Sequence, residues 1–276
     1  MRDQPVFEIP TTIKEDTEEY EAVVDKFLAD DLDAARFRGH RVPMGVYSQR
    51  SETGEIEKYM VRVRAPGGVL TKDQVAALNE LAQEYGGGYL HFTTRQDIQI
   101  HYVDIEDTPE ILYQLLEVGL SPRGGGGNTV RNIMNSPRAG VDPAEAFDTT
   151  PHALALTKYL IKYRSSFNLP RKYKIAFSAT AKDAALATVN DLGFIAKERD
   201  GERGFKVYAG GGMGNSPEVA LLLDEFVPED KIFPVAEAIK RFFDDYGDRS
   251  NKHKARLRFV RKRLGDEEFI AKYEEY

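Results

Sequence analysis

From Tyr59 onward the chain alternates, with Tyr59, Val61 and Val63 set against Met60, Arg62 and Arg64, which is the period of a strand with one apolar face. Arg62 and Arg64 therefore point the same way. A turn at Pro66-Gly67-Gly68 follows, and Thr71 with Gln74 three residues later predicts a capping box that opens a helix. Val75, Leu78, Leu81 and Ala82 mark its buried stripe, and Gly86–Gly88 stop it. Two further strands are predicted over Tyr89–Thr94 and Asp97–Val103, the second alternating Ile98, Ile100 and Tyr102 against Gln99 and His101. Thr108-Pro109 then reads as an N-cap with proline at the first helical position. The helix it opens buries Ile111, Leu112, Leu115 and Leu116 and ends at Gly119.

This β-α-β-β-α order over residues 56–122 is a compact α+β unit of the ferredoxin-like sort. Ahead of it, residues 1–55 show no sustained period and contain Pro5, Pro10, Gly39, Pro43 and Gly45, with one helical stretch at Thr17–Leu28; they predict an extended arm. Behind it, Gly124–Gly127 predicts a flexible break and a domain boundary. Residues 123–276 read as mixed α/β. Strands are expected at Thr129–Met134, Tyr173–Ser178, Gly193–Lys197 and Phe205–Ala209. Helices are expected near Pro151–Tyr163, Lys182–Leu192, Phe233–Tyr246, Asn251–Arg263 and Asp266–Glu275.

Composition narrows the function. With 276 residues, 41% of them apolar, the chain can bury a sizeable core. No stretch approaches the roughly 20 apolar residues of a membrane span, and the first thirty residues are acidic and polar, so nothing marks the chain for export and a cytoplasmic setting is expected. The absence of cysteine excludes a disulfide framework, a thiolate nucleophile and a cysteine-ligated iron–sulfur cluster within these residues. His40, His91, His101, His152 and His253 lack any HxxxH or HExxH spacing, so no local metal site is expected. The formal charge of −7 argues against generic nucleic-acid binding, and no RNP1-like aromatic signature supports an RNA-binding module. Positive charge is nevertheless concentrated, with eight Lys or Arg among the fifteen residues from Arg249 to Arg263, a pattern that suits an anion held in a defined place.

The informative feature is where the basic side chains fall. Arg62 and Arg64 share one strand face, Arg95 with Gln96 and Gln99 stands at the next strand junction, Arg131 with Asn132 lies on a third, and Lys172 with Lys174 on a fourth. A single such pair is ordinarily the solvated face of an edge strand. If four sets converge, they make a pocket for a polycarboxylate or a small oxyanion. The run Ala209-Gly210-Gly211-Gly212-Met213-Gly214 lacks GK[ST] and opens no βαβ unit, so it is weak as a nucleotide motif and better suited to close approach of a flat ligand or a neighbouring strand. Arg249–Arg263 is equally a solvated helix face or the wall of an anion site, and His101 on a polar strand face is either structural or a donor to a ligand.

Together these segments resemble the sulfite/nitrite reductase hemoprotein family. The matching pieces, in the family's order, are Met60-Val-Arg-Val-Arg-Ala-Pro-Gly-Gly-Val-Leu-Thr71, Thr93-Thr-Arg-Gln-Asp-Ile-Gln-Ile-His101, Val130-Arg-Asn132, Leu169-Pro-Arg-Lys-Tyr-Lys174, Gly204-Phe-Lys-Val-Tyr-Ala-Gly-Gly-Gly212 and Asp245-Tyr-Gly-Asp-Arg249. The resemblance implies a ferredoxin-like half-domain followed by a siroheme-binding mixed α/β domain, the amino-terminal half of an enzyme that reduces sulfite to sulfide or nitrite to ammonia with six electrons. It places Arg62, Arg131, Lys172 and Lys174 in the ring of basic residues around the substrate, where they neutralise the anion and relay protons. It places Arg64, Arg95, Gln96, Gln99, His101, Asn132, Arg171, Gly211 and Gly212 beside siroheme, an iron tetrapyrrole with eight carboxylates.

The resemblance further implies a [4Fe-4S] cluster held by a cysteine-bearing half or partner subunit, and an electron donor such as ferredoxin or a flavoprotein. Two departures stand out: His91 occupies a place where some relatives have arginine, and Asn135-Ser136 replaces a cysteine-containing run. The alternative is a non-catalytic module that binds siroheme or stabilises a partner.

Overall fold

The computed structural model describes residues 8–50, 54, 56–214 and 216–276; Pro5 and the rest of residues 1–7 in the predicted arm lie outside the described residues. The chain divides into two units, Met1–Gly127 and Asn128–Tyr276. The fold is α+β.

In the first unit, helices α1 (Thr11–Leu28) and α2 (Ala34–Arg41) precede strands β1 (Val46–Arg50) and β2 (Ile56–Val63). Helix α3 (Lys72–Tyr85), strands β3 (Leu90–Phe92) and β4 (Ile98–Val103) and helix α4 (Thr108–Glu117) follow, the expected β-α-β-β-α order. The sheet runs β1-β2-β4-β3 with every pair antiparallel. The α3 cap forms as its sequence dictates: Thr71 Oγ1 accepts from the Gln74 N–H at 3.2 Å and the Gln74 side chain accepts from the Thr71 N–H at 3.0 Å. The helix rolls slightly from its predicted stripe, because Gln74 is buried with Leu78, Leu81 and Ala82 while Val75 is 44% exposed.

The segment expected as an extended arm is instead helical over most of its described length and belongs to this unit. Tyr20, Val24, Phe37, Met44 and Val46 enter the same core as the sheet and α3. Arg123 Nε donates to buried Asp16 at 2.6 Å, tying α1 to the segment after α4. The helical stretch expected at Thr17–Leu28 is the greater part of α1, which starts earlier, at Thr11, just after Pro10; α2 escaped the sequence reading because its eight residues include Gly39 and only one large apolar residue, Phe37.

The glycine run also departs from its expectation as a flexible break. The Gly124 N–H donates to the Pro43 carbonyl at 2.7 Å, and a methyl group on Gly126 would drive into the Val42 carbonyl oxygen and the Tyr47 hydroxyl. Here glycine permits close backbone packing.

A bulge sits in β4. Tyr59 pairs with Val103 but Val61 pairs with Ile100, so His101 and Tyr102 together face Met60. Tyr102 takes φ +64° and is 52% exposed, which ends the predicted alternation, and Val103 takes the core position.

The second unit carries strands β5 (Met134–Asn135), β6 (Ile175–Ser178), β7 (Leu192–Arg199), β8 (Glu202–Ala209) and β9 (Leu221–Pro228) in the order β5-β6-β7-β8-β9. The first three are parallel and the last three antiparallel. Helices α5 (Thr150–Leu160), α6 (Ile232–Tyr246), α7 (Leu257–Leu264) and α8 (Asp266–Glu274) pack with the sheet around Phe177, Phe194, Phe205, Phe242, Phe243 and Phe269.

Three expectations fail locally. The predicted strand Thr129–Met134 reduces to an isolated bridge of Val130 with Tyr173 before β5. The predicted helix Lys182–Leu192 is a loop with a short 3-10 turn at Ala187–Val189, because the Asp183 carboxylate takes the N–H groups of Ala187 and Thr188 and the Ser178 and Thr188 hydroxyls, competing with helical bonding. The predicted helix Asn251–Arg263 starts only at Leu257, since Asp248 and Asn251 side chains hold the preceding residues in turns.

Candidate functional site: two cationic clusters

In the first unit the register places Arg62 of β2 opposite Gln99 of β4, and Gln99 opposite His91 of β3. The row runs straight across the sheet. Gln99 is 5% exposed, and one end of its amide meets Arg62 Nε at 2.9 Å and Nη2 at 2.8 Å while the other meets His91 Nδ1 and His101 Nε2, each at 3.1 Å. A guanidinium only donates, so the amide oxygen belongs on the Arg62 side. Arg62 also lies over the Tyr47 ring, 4.8 Å from its centroid, and reaches the Gly125 carbonyl at 3.4 Å.

Arg64 is 4% exposed, and its Nη2 donates to the Gly124 carbonyl at 3.4 Å. Arg95 and Gln96 occupy the β3–β4 turn, where Gln96 takes φ +59° and packs its amide on Gly68 of the Pro66–Gly68 turn. Burial first, then the neighbouring His91 and Arg62, hold the His101 imidazole below its ordinary pKa.

In the second unit, buried Asp191 organises the cluster. Its carboxylate takes Arg256 in a two-point pair, Nη2 at 2.7 Å and Nε at 3.2 Å, and accepts the Lys174 N–H at 2.8 Å. The Asp191 carbonyl accepts from the Gly210 N–H at 3.0 Å, which draws the glycine run alongside. Arg131 and Lys172 flank buried Tyr173, whose carbonyl accepts from the Arg131 N–H at 2.8 Å. Asn132 is fully buried, and Arg171 donates to Asn128 at 3.3 Å.

Lys172 has its pKa depressed to about 8, by burial first and then by the positive charges of Arg256, Arg131 and Arg171, with Asp191 in opposition. The structure thus brings Arg131, Arg171 and Lys172 within electrostatic reach of one another, and ties Lys174 to the same carboxylate. With Arg256, which pairs with Asp191, four cations (Arg131, Arg171, Lys172 and Arg256) act around one buried carboxylate, while Lys174 meets it through its main-chain N–H; the excess of positive charge favours an anionic ligand.

Three residues of this cluster carry no individual assignment from sequence: Asp191, Arg256 and Arg258. Arg256 and Arg258 fall in the basic stretch, where solvated and buried arginines look alike; Asp191 falls in the misread Lys182–Leu192 segment. Arg258 is 6% exposed, and its Nε and Nη1 have no hydrogen-bond partner among the described residues. Burial and Arg256 lower its pKa. A Cβ on Gly212 would stand 2.8 Å from Arg258 Nη1, so the absence of a side chain there lets that guanidinium lie against the backbone of the glycine run. Buried N–H groups of this kind call for acceptors, and carboxylates of a polyanionic ligand match them.

Comparison with known proteins agrees with this chemistry. Residues 126–276 match the family model described as the nitrite and sulphite reductase 4Fe-4S domain, and residues 53–118 match the nitrite/sulfite reductase ferredoxin-like half domain. The chain is 36% identical over 231 residues to the assimilatory ferredoxin-dependent nitrite reductase of Haloferax mediterranei, covering 78% of this chain and 39% of that protein. It is 33% identical over 254 residues to sulfite reductase [ferredoxin] 1 of Mycolicibacterium paratuberculosis, covering 87% and 45%.

The solved structure of the Mycobacterium tuberculosis NirA protein superposes with a TM-score of 0.79 at 28% identity, over 94% of this chain and 52% of that one. The chain therefore spans about half the length of these relatives or somewhat less. No helix among the described residues is long and apolar enough to cross a membrane. Two family models in sequence order, relatives above 30% identity and a shared fold agree: the chain belongs to the nitrite and sulphite reductase family.

Proposed function

We propose that this chain is part of a siroheme-dependent reductase of nitrite or sulfite, and that it supplies cationic groups for the substrate anion and for the tetrapyrrole carboxylates. The observation that carries the reading is the second unit's excess of buried positive charge, with Arg258 Nε and Nη1 packed against Gly212 and given no acceptor by the described residues. Arg256, Arg258, Arg171, Asn132, Gly211 and Gly212 fit carboxylate groups of siroheme, as do Arg64, Arg95 and Gln96 in the first unit, whereas the polar atoms of Gln99 and His101 are taken up by Arg62, His91, Gln49 and each other. Siroheme, when bound, supplies the iron at which the oxyanion is reduced.

Arg62, Arg131, Lys172 and Lys174 neutralise the substrate anion and favour its more negative reduced forms. Lys172, with a pKa of about 8, sits near the working pH of most proteins, so its Nζ both holds a proton for donation and recovers one from water. The chain has no cysteine, so thiolate ligands for a [4Fe-4S] cluster come from a polypeptide segment other than these 276 residues. The names of the relatives support ferredoxin as electron donor.

The test is kinetic. In the enzyme completed with its cysteine-bearing half, Arg131→Ala or Lys174→Ala lowers turnover by about 10²-fold or more, the scale of removing one donor that stabilises developing negative charge, with little change in thermal stability. Unchanged turnover would overturn the assigned roles.

A further inference from the structure

Gln99 lies in a hydrogen-bond chain whose two ends both donate. At one end Arg62 offers Nε–H and Nη2–H to the Gln99 amide at 2.9 and 2.8 Å. At the other, the Tyr102 N–H donates to Gln49 Oε1 at 2.7 Å. Between them, Gln99 meets His101 Nε2 at 3.1 Å and Gln49 Nε2 meets His101 Nδ1 at 3.0 Å. The β4 bulge creates the second end, because Tyr102 at φ +64° gives its N–H to a side chain of β1.

A side-chain amide has one accepting and one donating end, and a neutral imidazole has one N–H and one bare nitrogen. Each interior member of the chain therefore passes on the polarity it receives. Such a chain needs a donor at one terminus and an acceptor at the other. With donors at both, one contact must set donor against donor, whichever way the amides and the ring are turned.

Relative strength decides where that conflict falls. Hydrogen bonds from a charged donor are roughly twice as strong as neutral ones, and Arg62 offers two, so Gln99 turns its oxygen to Arg62. His101 Nε2 then accepts, the ring proton sits on Nδ1, and the conflict moves to half-buried Gln49, where water can relieve it. Protonating the ring adds a second conflict, since an imidazolium donates at both nitrogens.

The groups facing this ring are Gln49 from β1, Arg62 from β2, His91 from β3 with the Tyr89 ring just before it at 5.8 Å, and Gln99 and Tyr102 from its own strand. Exposed His91 meets the same Gln99 amide and follows it by exchanging protons with solvent.

We propose that Gln99 and His101 form a two-state relay that senses whether Arg62 holds an anion. An anion that takes over the Arg62 N–H groups releases Gln99, whose amide turns over. The His101 proton then leaves Nδ1 to water while Nε2 gains one from water, and the donor conflict disappears. Gln99 and His101 are thus positioning residues that couple anion binding to relief of a built-in mismatch. The inference rests on the reading of Arg62 as an anion-binding group.

The test is the tautomer of His101, read by long-range 1H–15N correlation on the full 15N-labelled chain, with the resonance assigned through His101→Asn. The ligand-free chain is expected to carry the proton on Nδ1. Arg62→Met removes one terminal donor and Gln99→Glu supplies a member that accepts at both ends, so each moves the proton to Nε2 with no ligand present. Nitrite, or metal-free uroporphyrin as a tetrapyrrole polycarboxylate, added at constant ionic strength produces the same shift in the unaltered chain. Which of the two does so identifies the anion. An Nε2–H tautomer in the ligand-free chain, or an Nδ1–H tautomer retained in Arg62→Met and Gln99→Glu, overturns the relay. If both variants switch but neither probe does, the relay stands and the anion-binding reading of Arg62 fails.

Discussion

Replacing Asp191 with asparagine should destabilise the second unit more than the small chemical change suggests. The Asp191 side chain is fully buried, that of Arg256 is 8% exposed, and the pair makes two hydrogen bonds. Asparagine keeps the shape but leaves the Arg256 charge buried without compensation, among cations that already crowd Lys172. Breaking a buried pair from one side typically costs about 3–5 kcal/mol. For a unit of this size each kcal/mol lowers Tm by roughly 2–4 °C, so a fall of about 6–20 °C is expected. Thermal unfolding followed by near-ultraviolet circular dichroism measures it. The double change Asp191→Leu with Arg256→Met removes both charges and should recover most of the loss, because exchanging a buried pair for apolar side chains is often close to neutral. A loss below about 1 kcal/mol for Asp191→Asn, or a double variant as unstable as the sum of the singles, would refute the placement of Asp191 as the hub of the cluster.

Two other perturbations read the same structure. Because the Lys172 pKa is depressed to about 8, the folded chain binds fewer protons than the unfolded chain between that pH and the ordinary lysine value of 10.5; stability gains from this residue as pH rises through the window, while anion affinity falls. Nitrite titrations at pH 7 and 9 show the affinity loss, and Lys172→Met should abolish the portion that depends on this residue. Gly126→Ala should cost about 2–3 kcal/mol in urea unfolding, the upper range for overpacking, because the added methyl meets the Val42 backbone carbonyl, whereas Gly39→Ala, with open space around it, should not be destabilising.

Much of the first unit was legible because local signals and tertiary packing agree there. The Thr71–Gln74 capping box, the alternation through Val61 and Val63, and Pro109 at the start of α4 each carry their own structural reason. Sequence alternation failed at Tyr102, where a bulge moves the core position one residue on. It failed again around Asp183, whose carboxylate replaces helical hydrogen bonds. Strand β9 went unseen because its Leu221–Leu223 run leads directly into Asp224 and Glu225, within a stretch conspicuous only for acidity.

At the site, sequence identified the residues that bear charge but not the one that organises them. Nothing in the linear order distinguishes buried Asp191 from a solvated aspartate, or Arg256 and Arg258 from the exposed basic residues around them. Their significance comes from burial and partner geometry, which appear only in the fold.

The central claim is most directly tested by the visible absorption spectrum of the chain purified from cells that make siroheme, with and without a co-expressed cysteine-bearing half. The account predicts siroheme absorption when the two are produced together, and its loss when Arg258 is changed to Met. Absence of siroheme from the chain in both preparations would contradict it.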